Sequence, residues 1–448
     1  MKAILGLIFA FLLSGALVSG FLPRVQPIDV GATVYIRVDG SIDPPDAPIS
    51  TIDNVTYTLA GDISDSIVIE KDNIVIDGAL YTVQGMGSGD GITLVGRTNV
   101  TVKNMKIKEF NRGIRLYSSR NNILSGNIAV ANNRTGIYLD YSFNNTLSGN
   151  VVTGNGVEGI RLLYSLNNVL SSNNITANTE YGIGIDSSSN NTVSNNNIAN
   201  SNYGIGLLSS STVNFLSGNN ITANSRGIMI SSSSDNVLVS NDVTNNEWGI
   251  SADSSSNNTM SDNNVANNSN GIGLGSSSNS TVSDNNITNS TSGGVVLFSS
   301  SNNVVSGNNI TANGYGIRLL PFCSGNVFSG NNVAENYWMG VYINESSDNV
   351  FYHNNFVDNA QQIYTLSSTN VWDDGYPSGG NYWGNYHGAD ANHDGIADTA
   401  YTIKDTNIDH YPLMTIYKIP EFPSFLIVTL FTIGAVLTVI AYKRKHPE

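Results

Sequence analysis

The chain has 448 residues, of which 40% are hydrophobic and only 12% charged, and its net charge is −15. An acidic, sparsely charged chain repels phosphate backbones, which excludes nucleic acid as a partner. The single cysteine, Cys323, excludes an intramolecular disulfide framework and reads as a small buried filler.

Residues 1–20 have the layout of a secretory signal. Lys2 precedes an apolar run from Ile4 to Val18, and the small residues Ser19 and Gly20 stand before Phe21. Residues 21–70 are then expected to cap the fold and supply its first strands, ahead of repeats over 71–370.

The repeat decides the fold class. From Asn121 the chain recurs about every 22–23 residues as Asn-Asn-x-φ-Ser-Gly-Asn-x-φ-x-x-Asn-x-x-Gly-φ-x-φ-x-Ser-Ser, where φ is apolar. Each unit holds three short period-2 pieces, such as Val193, Ile198, and Ile205 with Leu207, bounded by Asn, Ser and Gly. Period 2 between turn residues means strands, and three strands too short to stand alone become stable when successive turns stack in parallel. The fold class is therefore all-β, a right-handed parallel β-helix of about thirteen coils. An unbroken asparagine column (Asn127, Asn150, Asn173 and onward to Asn354) should bond amide to amide between coils and serve left-handed corners. A glycine column (Gly113, Gly136, Gly159 and onward to Gly340) opens the third strand.

Outward positions of the third strand gather Arg115, Tyr117, Tyr138, Asp140, Glu158, Arg161, Tyr181 and Asp186 on or beside one surface of the early coils. Tyrosine faces with flanking charges suit sugar binding, through ring stacking and bidentate hydrogen bonds. The same residues allow an enzymatic reading. A lyase or epimerase acting on acidic glycans needs a neutralised carboxylate with a base and an acid nearby, parts open to Arg115, Arg161, Tyr138 and Asp140. A hydrolase would instead need two flanking carboxylates, for which Asp140 and Asp186 are the candidates. The middle coils carry Gly, Ser and Met on that face.

Residues 371–417 break the repeat and are expected to close its other end. Within them Asp390, Asn392, Asp394, the Ile396 carbonyl and Asp398, with Gly395 at the sixth position, match the first part of a calcium loop. Tyr401 replaces the bidentate glutamate expected at position twelve, so the loop reads as a structural calcium site lacking its strongest ligand. Farther on, Phe425 to Tyr442 is a charge-free span followed by Lys443, Arg444 and Lys445. That layout predicts a transmembrane helix over 425–442 with a basic cytoplasmic tail over 443–448. Pro420-Glu421-Phe422-Pro423 resembles archaeal C-terminal sorting signals, which would replace the span by a lipid anchor. Sequons at Asn54, Asn99, Asn133, Asn174, Asn220, Asn286, Asn309 and Asn344 point to glycosylation once exported.

Five further stretches carry a family resemblance over roughly residues 30–417. They are Ile36–Ser41 with Asp72–Gly78, then Gly380-Asn381-Tyr382-Trp383-Gly384-Asn385-Tyr386, then Asp394–Asp398 with His410-Tyr411-Pro412-Leu413-Met414. With the repeat, these resemble the NosD-type β-helix group sharing the PbH1 repeat, in the layout of archaeal membrane-anchored surface versions. The resemblance implies the fold and, for NosD proper, copper delivery to nitrous oxide reductase. The five histidines here (His353, His387, His393, His410, His446) show no paired metal spacing, and no Met or Cys cluster exists to hold soft Cu(I). The sequence thus reads as a rod on the outer face of the cell membrane, structural or adhesive, with carbohydrate or surface-layer proteins as partners. A polysaccharide lyase or epimerase is the alternative, and a copper accessory protein ranks last.

Overall fold

A computed structural model describes residues 33–418. The signal segment, the sorting motif and the apolar span with its basic tail lie outside the described residues. Among those described, no helix is long and apolar enough to cross a membrane.

Three parallel sheets of 16, 15 and 14 strands run the length of the molecule, one strand of each per turn, for about fourteen turns. A typical turn contributes Ile123–Ser125 to the second sheet, Ile128–Val130 to the third and Thr135–Asp140 to the first. Each strand pairs in register with its copy one turn on, as Ile137 with Ile160 and Leu147 with Leu170. At strand spacing the stack is roughly 65 Å long. The apolar positions picked by the repeat face inward: Val193, Ile198, Ile205 and Leu207 are all fully buried.

The corners are held by side-chain ladders. Asn196 donates its backbone N–H and Nδ2 to Asn219 Oδ1 (both 3.0 Å), and Nδ2 also reaches Leu170 O at 2.9 Å. Its own Oδ1 accepts the same pair from Asn173 at 2.9 Å. Two parallel asparagine columns, through Asn145 and Asn155, repeat the pattern, and a serine column through Ser142 adds a fourth. Cys323 occupies the serine column, buried, its N–H on Ser346 Oγ at 3.1 Å. These asparagines do not supply the left-handed backbone themselves. The residue just before each one does, such as Gly126, Gly149, Ser172 or Asn195, with φ between 54° and 64°. The glycine column serves close approach instead. A Cβ on Gly136 would meet Val152 Cγ1 at 2.4 Å and the Gly159 carbonyl at 2.8 Å.

Each ladder is directional, donating toward the C-terminal end, so its last member needs an acceptor. Residues 371–417 supply two. Asn381 N–H donates to Asp409 Oδ2 at 2.8 Å, and Asn370 N–H to Asn407 Oδ1 at 2.9 Å. The indoles of Trp383 and Trp372 donate to the same two residues at 2.8 and 3.1 Å. The third ladder ends inside the last turn, where Asn359 Nδ2 donates to Gln362 Oε1 at 2.7 Å. The rings extend the core: Phe328, Phe351 and Trp372 stack at 4.5 and 4.4 Å, and Phe356, Trp383 and Tyr401 at 4.7 and 4.3 Å. At the other end, antiparallel pairs (Val34–Ile36 with Ile42–Asp43, Ile49–Thr51 with Thr56–Leu59) cover the opening. Val34–Ile36 and Thr56–Leu59 also pair in parallel with the next turn, so coiling begins inside the segment expected to be a cap.

Candidate functional site

The first sheet has six-residue strands whose first, fourth and sixth residues face outward, because the second is the glycine column and the third and fifth are core. Register therefore stacks Asp90, Arg112, Thr135, Glu158 and Tyr181 in one outward column. Arg115, Tyr138 and Arg161 form a second, and Tyr117, Asp140, Leu163 and Asp186 a third. All eight residues predicted from the sequence thus lie on four adjacent strands, Arg112–Tyr117 to Tyr181–Asp186.

Their charges are largely compensated within the cluster. Asp90 holds Arg112 at 3.2 Å and Arg115 at 3.3 Å. Arg161 bridges Glu158 and, at 2.8 Å, Asp186. Two residues expected to present themselves to ligand do not. Tyr138 is only 8% exposed, with the Arg112 guanidinium 4.9 Å from its ring centre, and Glu158 is buried against Thr135 and Arg161. Asp140 is the exception to compensation: its Oδ1 is buried without a hydrogen-bond partner, as is Arg115 Nε. Burial raises the Asp140 carboxyl above its ordinary range, against the pull of Arg115 and Arg112. Burial likewise raises the Tyr138 hydroxyl, and that of Tyr181 to about 12.

Sequence reasoning missed Asp90 and Arg112, although both stand in the column that contains Glu158. It also missed Tyr141 and Tyr164. These follow the third strand at a corner position that is Ser118, Ser187, Ser209 and Ser232 in other turns, and their substitution for serine was the available signal. Both have left-handed backbone (φ 47° and 48°) and are 45% exposed, their rings stacked at 4.9 Å. Tyr117 meets Tyr141 edge-on at 6.2 Å, continuing the aromatic edge beside the charged cluster. The glycines on the outward face of the middle turns have a use as well. A Cβ on Gly206 would strike the Tyr181 ring at 2.7 Å, and one on Gly273 the Trp248 ring at 2.5 Å, so both rings lie flat on the sheet.

The Asp390–Asp398 loop closes on itself. Asp390 carboxylate oxygens accept from Asp394 N–H at 3.2 Å and Gly395 N–H at 3.0 Å, Asp394 from Ile396 N–H at 2.9 Å, and Asp398 from Ala391 N–H at 2.8 Å. Among the described residues, no group of three or more His, Cys, Asp or Glu side chains converges as a metal site requires. His353 is spent on Ser378 O and on stacking with Tyr417, and His410 on Asp373.

No curated protein matches the chain. The family described as "Periplasmic copper-binding protein (NosD)" matches residues 249–388, and that described as "Right handed beta helix region" matches 90–244 and 171–293. Solved structures similar in fold include the A-module of a mannuronan C-5 epimerase of Azotobacter vinelandii. It is 14% identical, with 71% of this chain and 88% of that one covered and a TM-score of 0.41. A periplasmic alginate epimerase is 13% identical, with 75% and 84% covered and a TM-score of 0.39. The tailspike protein of E. coli bacteriophage HK620 is 12% identical, with 69% and 71% covered and a TM-score of 0.45. The chain folds as a right-handed parallel β-helix, and parts of it are similar to the NosD and right-handed β-helix families.

Proposed function

We propose that the protein is an exported rod that binds polysaccharide along the edge formed by Tyr117, Tyr141 and Tyr164 and the charged face beside it. The observation that carries this reading is the pair Tyr141 and Tyr164. A bulky residue in left-handed backbone costs roughly 1–2 kcal/mol, and here it places two exposed rings where most other turns carry serine. The adjoining charges pair with one another, so this edge suits an uncharged saccharide, held by ring contact and by hydrogen bonds to fixed carboxylates and guanidiniums. Export and attachment to the membrane belong to the same proposal, and rest on the sequence at the two ends of the chain.

The test is affinity electrophoresis through gels containing neutral polysaccharides. The Tyr141→Ser, Tyr164→Ser variant restores the residue of the column and should fold normally. Retardation that falls at least about tenfold in the variant supports the reading; equal retardation of both proteins overturns it.

One observation favours a second, enzymatic reading. The raised Asp140 carboxyl, whose Oδ1 is buried without a hydrogen-bond partner, lies in the field of Arg112, Arg115 and Arg161 and bonds Tyr138, a set suited to moving a proton next to a bound carboxylate. Release of unsaturated or epimerised product from an acidic polysaccharide, abolished by Asp140→Asn, would establish it. Absence of turnover would leave the binding role alone.

A further inference from the structure

Arginines on the outward face of the first sheet have carboxylate partners in four cases. Arg112 and Arg115 share Asp90, Arg161 has Glu158 and Asp186, and Arg226 has Asp253 at 3.1 Å. Arg318, near the other end of the rod, has none among the described residues. The strands on either side (Gly293–Phe298 and Met339–Asn344), its own (Tyr315–Leu319) and the next (Ile363–Leu366) contain no acidic residue. What surrounds the guanidinium is aromatic: its carbon lies 5.1 Å from the Tyr315 ring centre and 5.8 Å from that of Tyr342. Its Nε is buried without an acceptor. Two residues beyond Tyr342 on the same face, Asn344 Oδ1 is buried without a donor.

The rings form one platform over three turns. Trp338 meets Tyr315 edge-on at 5.0 Å, Tyr315 meets Tyr342 at 5.5 Å, and Tyr342 stacks on Tyr364 at 5.7 Å. Trp338 is 51% exposed and is seated over Gly314, where a Cβ would meet its ring at 3.0 Å. A half-buried cation without a counter-ion is costly, and cation–π contact replaces only part of what a carboxylate would give. These four strands carry no second cation, and a single positive charge matches a singly charged anion better than a phosphate, which draws clustered cations. A broad, partly exposed aromatic surface beside that charge matches the flat C–H face of a pyranose.

We propose that Arg318, Tyr342 and Trp338 form a second saccharide site, specific for a carboxylated pyranose of an acidic polysaccharide. The carboxylate supplies the missing counter-ion to Arg318. The inference shares a ligand class with the function proposed above but uses different residues and a differently charged sugar. Either site can therefore fail without the other.

The experiment is calorimetric titration of the full chain with polygalacturonate fragments, with dextran and inorganic pyrophosphate as comparison probes. Intrinsic tryptophan fluorescence reports on Trp338. Polygalacturonate is expected to bind and to change the fluorescence. Arg318→Gln should weaken binding at least about tenfold, as loss of a bidentate ion pair does, and Trp338→Ala should weaken it independently. Arg226→Gln, which removes a paired arginine of the same face, should change it less than about twofold. The Tyr141→Ser, Tyr164→Ser variant should retain it fully, which separates this site from the first. Absence of polygalacturonate binding would overturn the proposal. So would binding unchanged in both Arg318→Gln and Trp338→Ala, or pyrophosphate bound as tightly as polygalacturonate.

Discussion

Asp409 ends the longest asparagine ladder, and it does so as a fully buried carboxyl. It accepts from Asn381 N–H, from the Trp383 indole and from Tyr411 N–H at 3.1 Å. No cation pairs with it among the described residues, and burial lifts its pKa from 3.8 to about 6 despite these hydrogen bonds. A carboxyl raised on folding keeps its proton in the native state after the unfolded chain has lost it. Its contribution to stability is therefore complete below about pH 4 and disappears as pH rises through 6. Two pKa units correspond to about 3 kcal/mol. Asparagine at this position keeps an acceptor oxygen and cannot ionise, so Asp409→Asn removes the dependence. Urea unfolding of both proteins from pH 3 to pH 7 measures it. The stability of Asp409→Asn relative to the natural protein should rise by about 3 kcal/mol across that range. A difference that stays constant would show that Asp409 ionises normally and that the ladder's end is solvated.

Three further outcomes follow from the packing. Asn196→Ala leaves Asn173 N–H without its side-chain acceptor and strips one bond each from Asn173 Nδ2, which keeps Leu147 O, and from Leu170 O, at about 1–3 kcal/mol in all. Its outward neighbour Asn197→Ala should cost no more than about 0.5 kcal/mol, and equal losses in chemical denaturation would deny the buried ladder its role. Gly204→Ala drives a Cβ to 2.5 Å from Gly227 O and should cost about 1–3 kcal/mol, more than Gly184→Ala in the neighbouring strand, whose Cβ comes no closer than 3.6 Å to another atom. Similar melting temperatures for the two would refute the close-approach argument. The Asp390–Asp398 loop is closed by its own amide hydrogen bonds without three converging carboxylates. Whether the loop also takes calcium is read from the melting temperature at about 1 mM of the ion, where no shift would leave it a self-closed turn. A shift of several degrees, reversed by chelator, would mean that the loop rearranges around an ion.

The interior of this molecule was legible in the sequence because every turn solves the same packing problem with the same residues. Val193, Ile198, Ile205 and Leu207 could be placed from period alone, and so could the amide ladder through Asn127. What period cannot show is anything made by contact between unlike turns. Tyr138 alternates correctly for an outward residue, yet Arg112 from the preceding turn covers it. Gly206 reads as an empty position, yet it is the seat of the Tyr181 ring. The turn count came out one low because Val34–Ile36 and Thr56–Leu59 coil without the repeat's asparagines. Asp409 lies well outside the repeat, and only folding brings it to the end of the ladder.

Separating inside from outside also separates the two candidate sites. Because ladders, glycine column and core fix each turn, the outward first, fourth and sixth positions can vary without cost to the fold. From the strand of Tyr138 to that of Arg318 there are eight steps along the first sheet, roughly 38 Å at strand spacing. A polysaccharide with both neutral and carboxylated residues, and longer than about 40 Å, can occupy both sites of one rigid rod. The second contact is then intramolecular, and avidity can exceed either single affinity by about 10²–10⁴ without a new contact. Fragments too short to span should bind at one site only, and the affinity should rise steeply once the length suffices. Arg318→Gln would remove that rise while leaving short neutral fragments bound at the Tyr141 edge. Affinity that climbs smoothly with length, unaltered by Arg318→Gln, would refute simultaneous engagement and leave the two faces as independent surfaces.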